Sequence, residues 1–477
     1  MDAQNVYAVI DLGSSYIRGL IANKLEEGEV SPIACETLPS EGCISHGAVY
    51  NIDETAQKIS TILSLLNERL EDNYEIKKLY VGIGAQSLKS EEATIHIDIC
   101  EEGEEITDEH LKAIERKVTE ISFPRRKNIF TLDTYYEIDG KIEAFPKSIV
   151  CHELVAHVSI ITVKDWIYNN VQAVVEDRLG LQLAGVLPTP LCEAEVMLSS
   201  SQKQLGSVFV NVGGGISSVV IYYDGVFRRL RVLPFGGDNV SKDLESLRLT
   251  PEEAESIKLQ YAGATTYADR DKTFEIPNFD GIGMRTMRVL DVNRYTSARM
   301  KEIAENIFEV VRVAGLDHHI KAGYLFTGGA AKIQRFDELL TNYTRHFTFN
   351  TQLSAVVDHN NALVTIPGME TAIALAYAAR QNCVGAEVSD LNALIHKTEK
   401  EEKVEKVENH EEIHEQIHEQ KIVEHIDRRS IQQEEPSVEE KDEKTKQRPK
   451  NNMFRSAVNN LFSVFMEDDP NEDDELY

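Results

Sequence analysis

The sequence predicts an α/β protein with a duplicated core, and three observations carry that expectation. Two strand–glycine loop–strand elements read alike and stand about 200 residues apart. One is Tyr7-Ala-Val-Ile-Asp11-Leu-Gly13-Ser14-Ser15-Tyr-Ile-Arg18; the other is Val208-Phe-Val-Asn211-Val-Gly213-Gly214-Gly215-Ile-Ser-Ser218. Amphipathic helical stretches alternate with short apolar strands through the body of the chain. From Thr398 to Lys450 the composition turns to Glu, Lys, Gln and His without aromatics, so the folded body ends before it.

Residues 6–11 and 16–22 read as strands joined by Leu12-Gly13-Ser14-Ser15. Residues 53–70 place Ile59, Ile62, Leu63, Leu66 and Leu70 at helical spacing, and 79–84 reads as a buried strand. The texture changes over 87–162: an acidic loop at 101–105, a helix at 107–118 and strands at 131–138 and 142–145 suggest an inserted subdomain. A helix is expected at 166–179. Leu187-Pro188-Thr189-Pro190 then breaks the chain before another at 191–199. The second glycine element is followed by helices at 239–246 and 251–261, a loop-rich section, and a long helix at 293–314. A strand at 324–327 runs into Gly328-Gly329, and a helix at 368–380 closes the body.

The net charge is −30, and only −12 of it falls from Val388 onward. An acidic body argues against non-specific nucleic-acid binding, which needs Lys and Arg to displace counterions. The six cysteines are scattered, with no C-x-x-C pair or metal-ligand spacing, as expected of free thiols in a reducing cytoplasm. Residues 1–10 do not read as a signal peptide, and no stretch approaches the ~20 apolar residues of a spanning helix.

Because strands follow both glycine loops, the elements read as hairpins and not as strand–loop–helix phosphate sites. Two such hairpins from duplicated halves would face each other and grip a phosphate chain through the backbone N–H groups of Gly13, Ser14, Ser15, Gly213, Gly214 and Gly215. Asp11 would hold Mg²⁺ through water, and Arg18 would point at a phosphate. Each hairpin alone favours a tight turn with no ligand; the pair, with the later Gly328-Gly329, favours a nucleotide.

These motifs resemble the actin/Hsp70/sugar-kinase superfamily: Asp11-Leu-Gly-Ser-Ser as its first phosphate loop, Val210-Asn-Val-Gly-Gly-Gly as its second, and Leu325-Phe-Thr-Gly328-Gly329-Ala-Ala-Lys332 as its adenosine motif. Within it they are similar to the FtsA family of bacterial cell division, supported by Val232-Leu-Pro-Phe-Gly-Gly, Ala254-Glu-Ser-Ile-Lys258 and His318-His319-Ile-Lys-Ala-Gly. The resemblance implies an actin-like duplicated ATPase fold that binds ATP and Mg²⁺. It implies subdomain 1A at 1–86 and 163–200, an inserted 1C at 87–162, 2A at 201–248 and 323–387 with a helix returning to 1A, and 2B at 249–322. It also implies that Glu255 and Lys258 contact ribose and adenine, with Gly237, Gly328 and Gly329 giving the nucleoside close passage. A plain surface ion pair is the competing reading for Glu255 and Lys258. The 1C segment would serve polymer contacts and later division proteins, and 2B would dock the FtsZ C-terminal tail. Arg294, with Arg285 and Arg299 nearby, would carry that contact; arginines paired with Asp291 and Glu302 stand as the alternative.

After a disordered charged linker at 388–451, residues 452–466 form an amphipathic stretch. Phe454, Val458, Leu461 and Phe465 share one face, widened by Phe462 and flanked by Met453. About 21 Å of helix is too short to span a bilayer but long enough to lie in its interface. FtsA proteins carry a membrane-targeting helix here, which places the chain as a peripheral protein on the cytoplasmic side of the membrane at the division septum. A partner-binding or autoinhibitory helix is the other reading. The acidic tail 467–477 would be repelled by anionic lipid, so adhesion would rest on apolar burial and on avidity from polymerisation. His410, His414 and His418 share helical spacing, but their flanking carboxylates favour a solvated helix over a metal site.

Three functions compete: a nucleotide-gated polymerising adaptor that anchors FtsZ filaments, a sugar or acetate kinase, and an Hsp70-like chaperone. No kinase catalytic motif or β-rich peptide-binding domain is evident, and the tether with its terminal helix favours the adaptor. The family usually has an acid where Asn211 stands. An amide can donate to a phosphate or orient a water, but it cannot neutralise a cation or act as a base. Hydrolysis is therefore expected to be slow or absent.

Overall fold

The computed structural model describes residues 5–386 except 26–27, 71–73, 99–102, 133, 144, 267–270, 279–281, 352 and 354–355. The expected linker, amphipathic helix and acidic tail lie outside the described residues, as do Met453, Phe454, Val458, Leu461, Phe462 and Phe465.

Each glycine loop belongs to a five-strand arrangement of the same design. In the first, Val6–Leu12, Tyr16–Lys24 and Val30–Pro39 pair antiparallel in sequence order. Lys78–Ile83 and then Gln182–Pro188 add in parallel on the other side of Val6–Leu12. In the second, Ser207–Val212, Ser217–Tyr223 and Val226–Leu233 repeat the antiparallel part, and Gly323–Thr327 and Thr348–Asn350 repeat the parallel part. The duplication visible in two loops thus extends to both sheets. Register sets Asp11 opposite Arg18 in one hairpin and Asn211 opposite Ser218 in the other.

Val6–Leu12 is buried at every residue, as the apolar run Val6–Ile10 requires of a strand covered on both faces, and Asp11 is buried with it. The helix Ile52–Asn67 is capped by Asn51, whose side chain accepts from Glu54 N at 3.1 Å, and buries Ile59, Ile62, Leu63 and Leu66. The helices Thr189–Met197 and Glu370–Ala378 share the first sheet's hydrophobic core. A second core gathers the second sheet with the helices Pro251–Tyr261 and Val289–Val313, so residues 249–322 pack on that sheet. A third, smaller core lies within residues 95–160, where Ile114 of the helix Asp108–Glu120 meets the sheet formed by Lys89–Asp98 and Glu153–Lys164. That sheet abuts the second one through the bridge Arg231–Lys89 and a hydrogen bond from Leu230 N to Ser90 Oγ at 3.1 Å.

Three local expectations change. The prolines at 188 and 190 do not delay the helix to 191: it starts at Thr189 with Pro190 in its first turn, where a missing N–H costs nothing. The loop-rich section contains a hairpin, Thr273–Pro277 with Met284–Arg288. The helix expected at 166–179 is α-helical over Asp165–Gln172 and widens to π geometry over Ala173–Arg178.

Candidate functional site

The two glycine hairpins meet face to face. Ser15 Oγ lies so close to Gly214 that any Cβ there would collide with it, and Ser14 Oγ stands 2.7 Å from the place a Gly215 Cβ would take. A side chain at either glycine would push a serine hydroxyl aside. The first loop is braced from behind. Ser40 Oγ donates to Gly13 O at 2.7 Å, Ser40 N to Ser15 O at 3.0 Å, and Gly47 N to Ser14 Oγ at 3.2 Å. The second loop is braced by the helix Gly237–Leu244, whose first amides donate to it: Gly237 N to Gly213 O and Asp238 N to Gly214 O, both at 2.9 Å. Gly213 N closes its own turn on Ile216 O at 2.9 Å, so this N–H, expected to grip a ligand, is spent inside the hairpin.

Asp11 is 6% exposed and has Arg18 Nη1 at 3.5 Å from its Oδ2. Arg18 therefore leans on Asp11, and its guanidinium also lies against Gly368, just ahead of the helix Glu370–Ala378. On the other side of the site, Lys258 is 8% exposed, ion-paired with Glu255 at 2.6 Å and donating to Gly237 O at 3.1 Å. Glu255 also accepts from Ser241 Oγ at 2.5 Å. Ala330 Cβ and Lys258 Nζ are each 3.2 Å from the place a Gly237 Cβ would take, so the Gly328-Gly329-Ala330 turn, Gly237 and Lys258 share one wall. Burial of Lys258 sets this pair apart from an ordinary surface ion pair.

Three side chains and one loop residue that sequence reasoning missed complete the arrangement. Glu193, on Thr189–Met197 and 1% exposed, accepts from Asn211 Nδ2 with both oxygens at 2.8 Å. Thr371 Oγ1 donates to the same carboxylate at 2.6 Å. Asp238 stands over the second loop, with Oδ1 3.1 Å from the place a Gly214 Cβ would take. His46 contributes a loop residue with φ of +47°, next to the Gly47 that braces Ser14. The second loop itself carries no carboxylate, but two acids stand against it, each supplied by a helix. The Asn211 amide nitrogen, expected to face a phosphate or a water, is held by Glu193. For Asp238 the available signal was an acid at a helix start directly after Gly236-Gly237; Glu193 had none, because nothing in the sequence of its short helix sets it, buried, apart from the exposed Glu195.

Burial raises the proton affinity of all three acids. Asp11 moves up to about 6, opposed by Arg18. Glu193 moves up to about 7 through burial; the hydrogen bonds from Asn211 and Thr371 oppose the rise, and Asp11 and Glu370 add to it. Asp238 is also raised by burial, with Lys258 opposing, Glu255 adding and His46 opposing. Buried carboxylates in this state are ones that an arriving cation relieves. Among the described residues no three His, Cys, Asp or Glu side chains converge to hold a metal by themselves. The donor set fits Mg²⁺ held by Asp11 through water and by phosphate oxygens, and suits an anion that brings its cation with it.

The three arginines singled out within residues 249–322 behave differently from one another. Arg285 donates to Leu247 O at 3.1 Å and to Arg248 O at 2.7 Å. Arg299 grips Asp243 at 2.7 and 3.0 Å and Glu302 at 2.5 Å. Arg294 has a 3.4 Å contact with Asp291, and its side chain is 63% exposed. The structure thus commits Arg285 and Arg299 to the turn that follows the helix Gly237–Leu244 and to its last residues, and leaves Arg294 the most open.

Residues 208–377 match the family model described as cell division protein FtsA. The FtsA of Porphyromonas gingivalis is 40% identical over 399 residues, covering 84% of this chain and 83% of the relative. The FtsA of Bacillus subtilis is 26% identical, covering 69% of this chain and 75% of its own. Among solved structures, one from the PilM-PilN type IV pilus biogenesis complex superposes with a TM-score of 0.53 at 14% identity, covering 78% of this chain and 98% of its own. The fold is actin-like.

Proposed function

The chain belongs to the FtsA family of actin-like cell division proteins, and from that premise we propose that it binds ATP with Mg²⁺ between its two glycine hairpins, polymerises, and anchors FtsZ filaments to the membrane. Family membership favours this adaptor over a small-molecule kinase or an Hsp70-like chaperone.

The observation that carries the nucleotide reading is the contact of Ser14 and Ser15 with Gly214 and Gly215. Two braced loops in contact leave little backbone to reorganise when a phosphate chain enters between them. Ser14 and Ser15 offer hydroxyl donors, Arg18 offers charge beside Asp11, and the wall of Gly237, Lys258 and Ala330 receives the nucleoside. When bound, Mg²⁺ supplies charge neutralisation for the phosphates. Slow or absent hydrolysis follows from the second loop. Asn211 cannot serve as a base, and Glu193 is sealed behind it in hydrogen bonds to Asn211 and Thr371.

Attachment falls to segments away from the cleft. In this reading the FtsZ tail, partly acidic, docks on 2B at Arg294, and 87–162 serves self-assembly and later division proteins. Residues 452–466 lie in the cytoplasmic face of the membrane at the septum. Among the described residues no helix is long and apolar enough to cross a membrane. Co-sedimentation of the full chain with ATP and liposomes tests this: the protein pellets with lipid, and deletion of 453–466 releases it. A full chain that stays in the supernatant removes the anchor. FtsZ-tail affinity with Arg294→Glu locates the docking site; it falls about tenfold, the scale of one charge-assisted contact. Unchanged affinity moves the site elsewhere.

A further inference from the structure

We infer that Glu193 is a positioning residue of the nucleotide site: it holds Asn211 by the amide nitrogen, turns the Asn211 carbonyl oxygen toward Gly328, and ties the second phosphate loop to the helix that starts at Glu370. The inference rests on the reading of this cleft as a nucleotide site.

Glu193 joins three elements. It projects from Thr189–Met197, meets Asn211 on Ser207–Val212, and meets Thr371 on Glu370–Ala378. Its neighbours on its own helix, Leu191, Cys192, Ala194 and Val196, are buried and mostly apolar. A carboxylate in such a position is costly compared with a hydrocarbon of the same size. What it adds is direction. An ionised carboxylate only accepts hydrogen bonds, so it decides which end of the Asn211 amide faces it. With the nitrogen on Glu193, the Asn211 oxygen lies against Gly328, which has φ of +105° and no Cβ to obstruct it.

The second loop therefore presents an acceptor at its strand end. An acceptor there takes a hydrogen bond from the water shell of a cation and repels a bare phosphate oxygen. The surroundings reinforce this: Asp11 and Glu370 add negative charge to the field at Glu193, Cys192 precedes it on the helix, and Arg18 is engaged with Asp11. Nucleotide should bind as its Mg²⁺ complex, and binding should collapse in EDTA.

The test is a double-variant cycle on the full chain, using equilibrium binding of a fluorescent ATP analogue with Mg²⁺ at pH 8. N211D sets a second carboxyl against Glu193; the pair must share one proton or repel, the amide that fixed an acceptor against Gly328 is gone, and binding should fall at least about tenfold below wild type. E193Q alone keeps an acceptor for Asn211 and should stay within about threefold. In N211D/E193Q the new amide donates to the new acid, and binding should return to within about threefold of wild type. Recovery of one substitution by the other is not expected of a residue that merely fills space. If N211D fails to fold while the double variant folds, the same rescue is read as soluble yield. E193L, which fills the space but accepts nothing, gives an independent reading and should weaken binding about tenfold. An N211D defect that is the same with and without E193Q, or an E193L chain that binds like wild type, overturns the inference and leaves the nucleotide reading standing. A wild-type chain that binds no nucleotide overturns both.

Discussion

The two glycine hairpins began as the same element and now differ in where the charge sits. In the first, the acid is on the strand, at Asp11, and its cross-strand partner Arg18 leans on it at 3.5 Å. In the second, the strand carries the amide Asn211, its cross-strand partner is Ser218, and the acid has moved to Glu193 on a neighbouring helix. Topology, register and backbone bracing are kept on both sides. Duplication thus preserved the cradle, while the chemistry at its two strand ends diverged. One end carries a carboxylate beside an arginine; the other carries an amide held from behind by a buried glutamate.

The comparison breaks most sharply at the contact between the loops. Gly214→Val puts carbon where Ser15 Oγ sits, and ATP binding measured by equilibrium titration should fall on the order of a hundredfold, because the Ser15 hydroxyl and the Asp238 carboxylate beside it must both be displaced. Retained binding would mean that the loops do not grip together.

The displaced acid should be visible in stability against pH. Burial raises Glu193 to about 7, above its ordinary 4.5, so the folded state holds this proton more tightly than the unfolded chain. For an acid shifted upward, stability is greatest below the unfolded value and is lost as pH rises through the folded one. Denaturant unfolding of wild type against Glu193→Gln should therefore show the wild type losing about 2–3 kcal/mol relative to the variant between pH 5 and pH 8. A constant difference across that window would place the Glu193 proton elsewhere.

A smaller effect is expected at the first hairpin. Asp11→Asn makes the two strand ends alike, and ATP binding with Mg²⁺ should weaken about tenfold. Smallest is Ser40→Ala, which removes the hydroxyl donor to Gly13 O; it should cost about 1 kcal/mol in unfolding free energy and only slightly loosen nucleotide.

Much of this was legible in the sequence. Apolar runs ending in Gly13 and in Gly213 announced two hairpins, and helical spacing placed Ile59, Ile62 and Leu66 on a buried face. The matched sheet orders were not legible, because strand pairing between Val6–Leu12 and Lys78–Ile83 is decided across a long separation that no local pattern records. The hairpin Thr273–Pro277 with Met284–Arg288 was hidden by short strands with charged, exposed faces. At the site, residues carried by loops were readable because glycine has few other reasons to cluster. Glu193 and Thr371 were not, since each acts through a partner far away in sequence, at Asn211 and at Glu193 respectively. Lys258 was foreseen, but its burial was not, because that depends on Gly237 and Ala330 closing over it.

The most direct test of the account is ATP binding and phosphate release measured together on the full chain with Mg²⁺. Saturable binding with release far below the ~1 s⁻¹ of slow ordinary enzymes is the predicted result. Steady release at several per second, unaffected by Asn211→Ala, or no ATP binding at all, would contradict it.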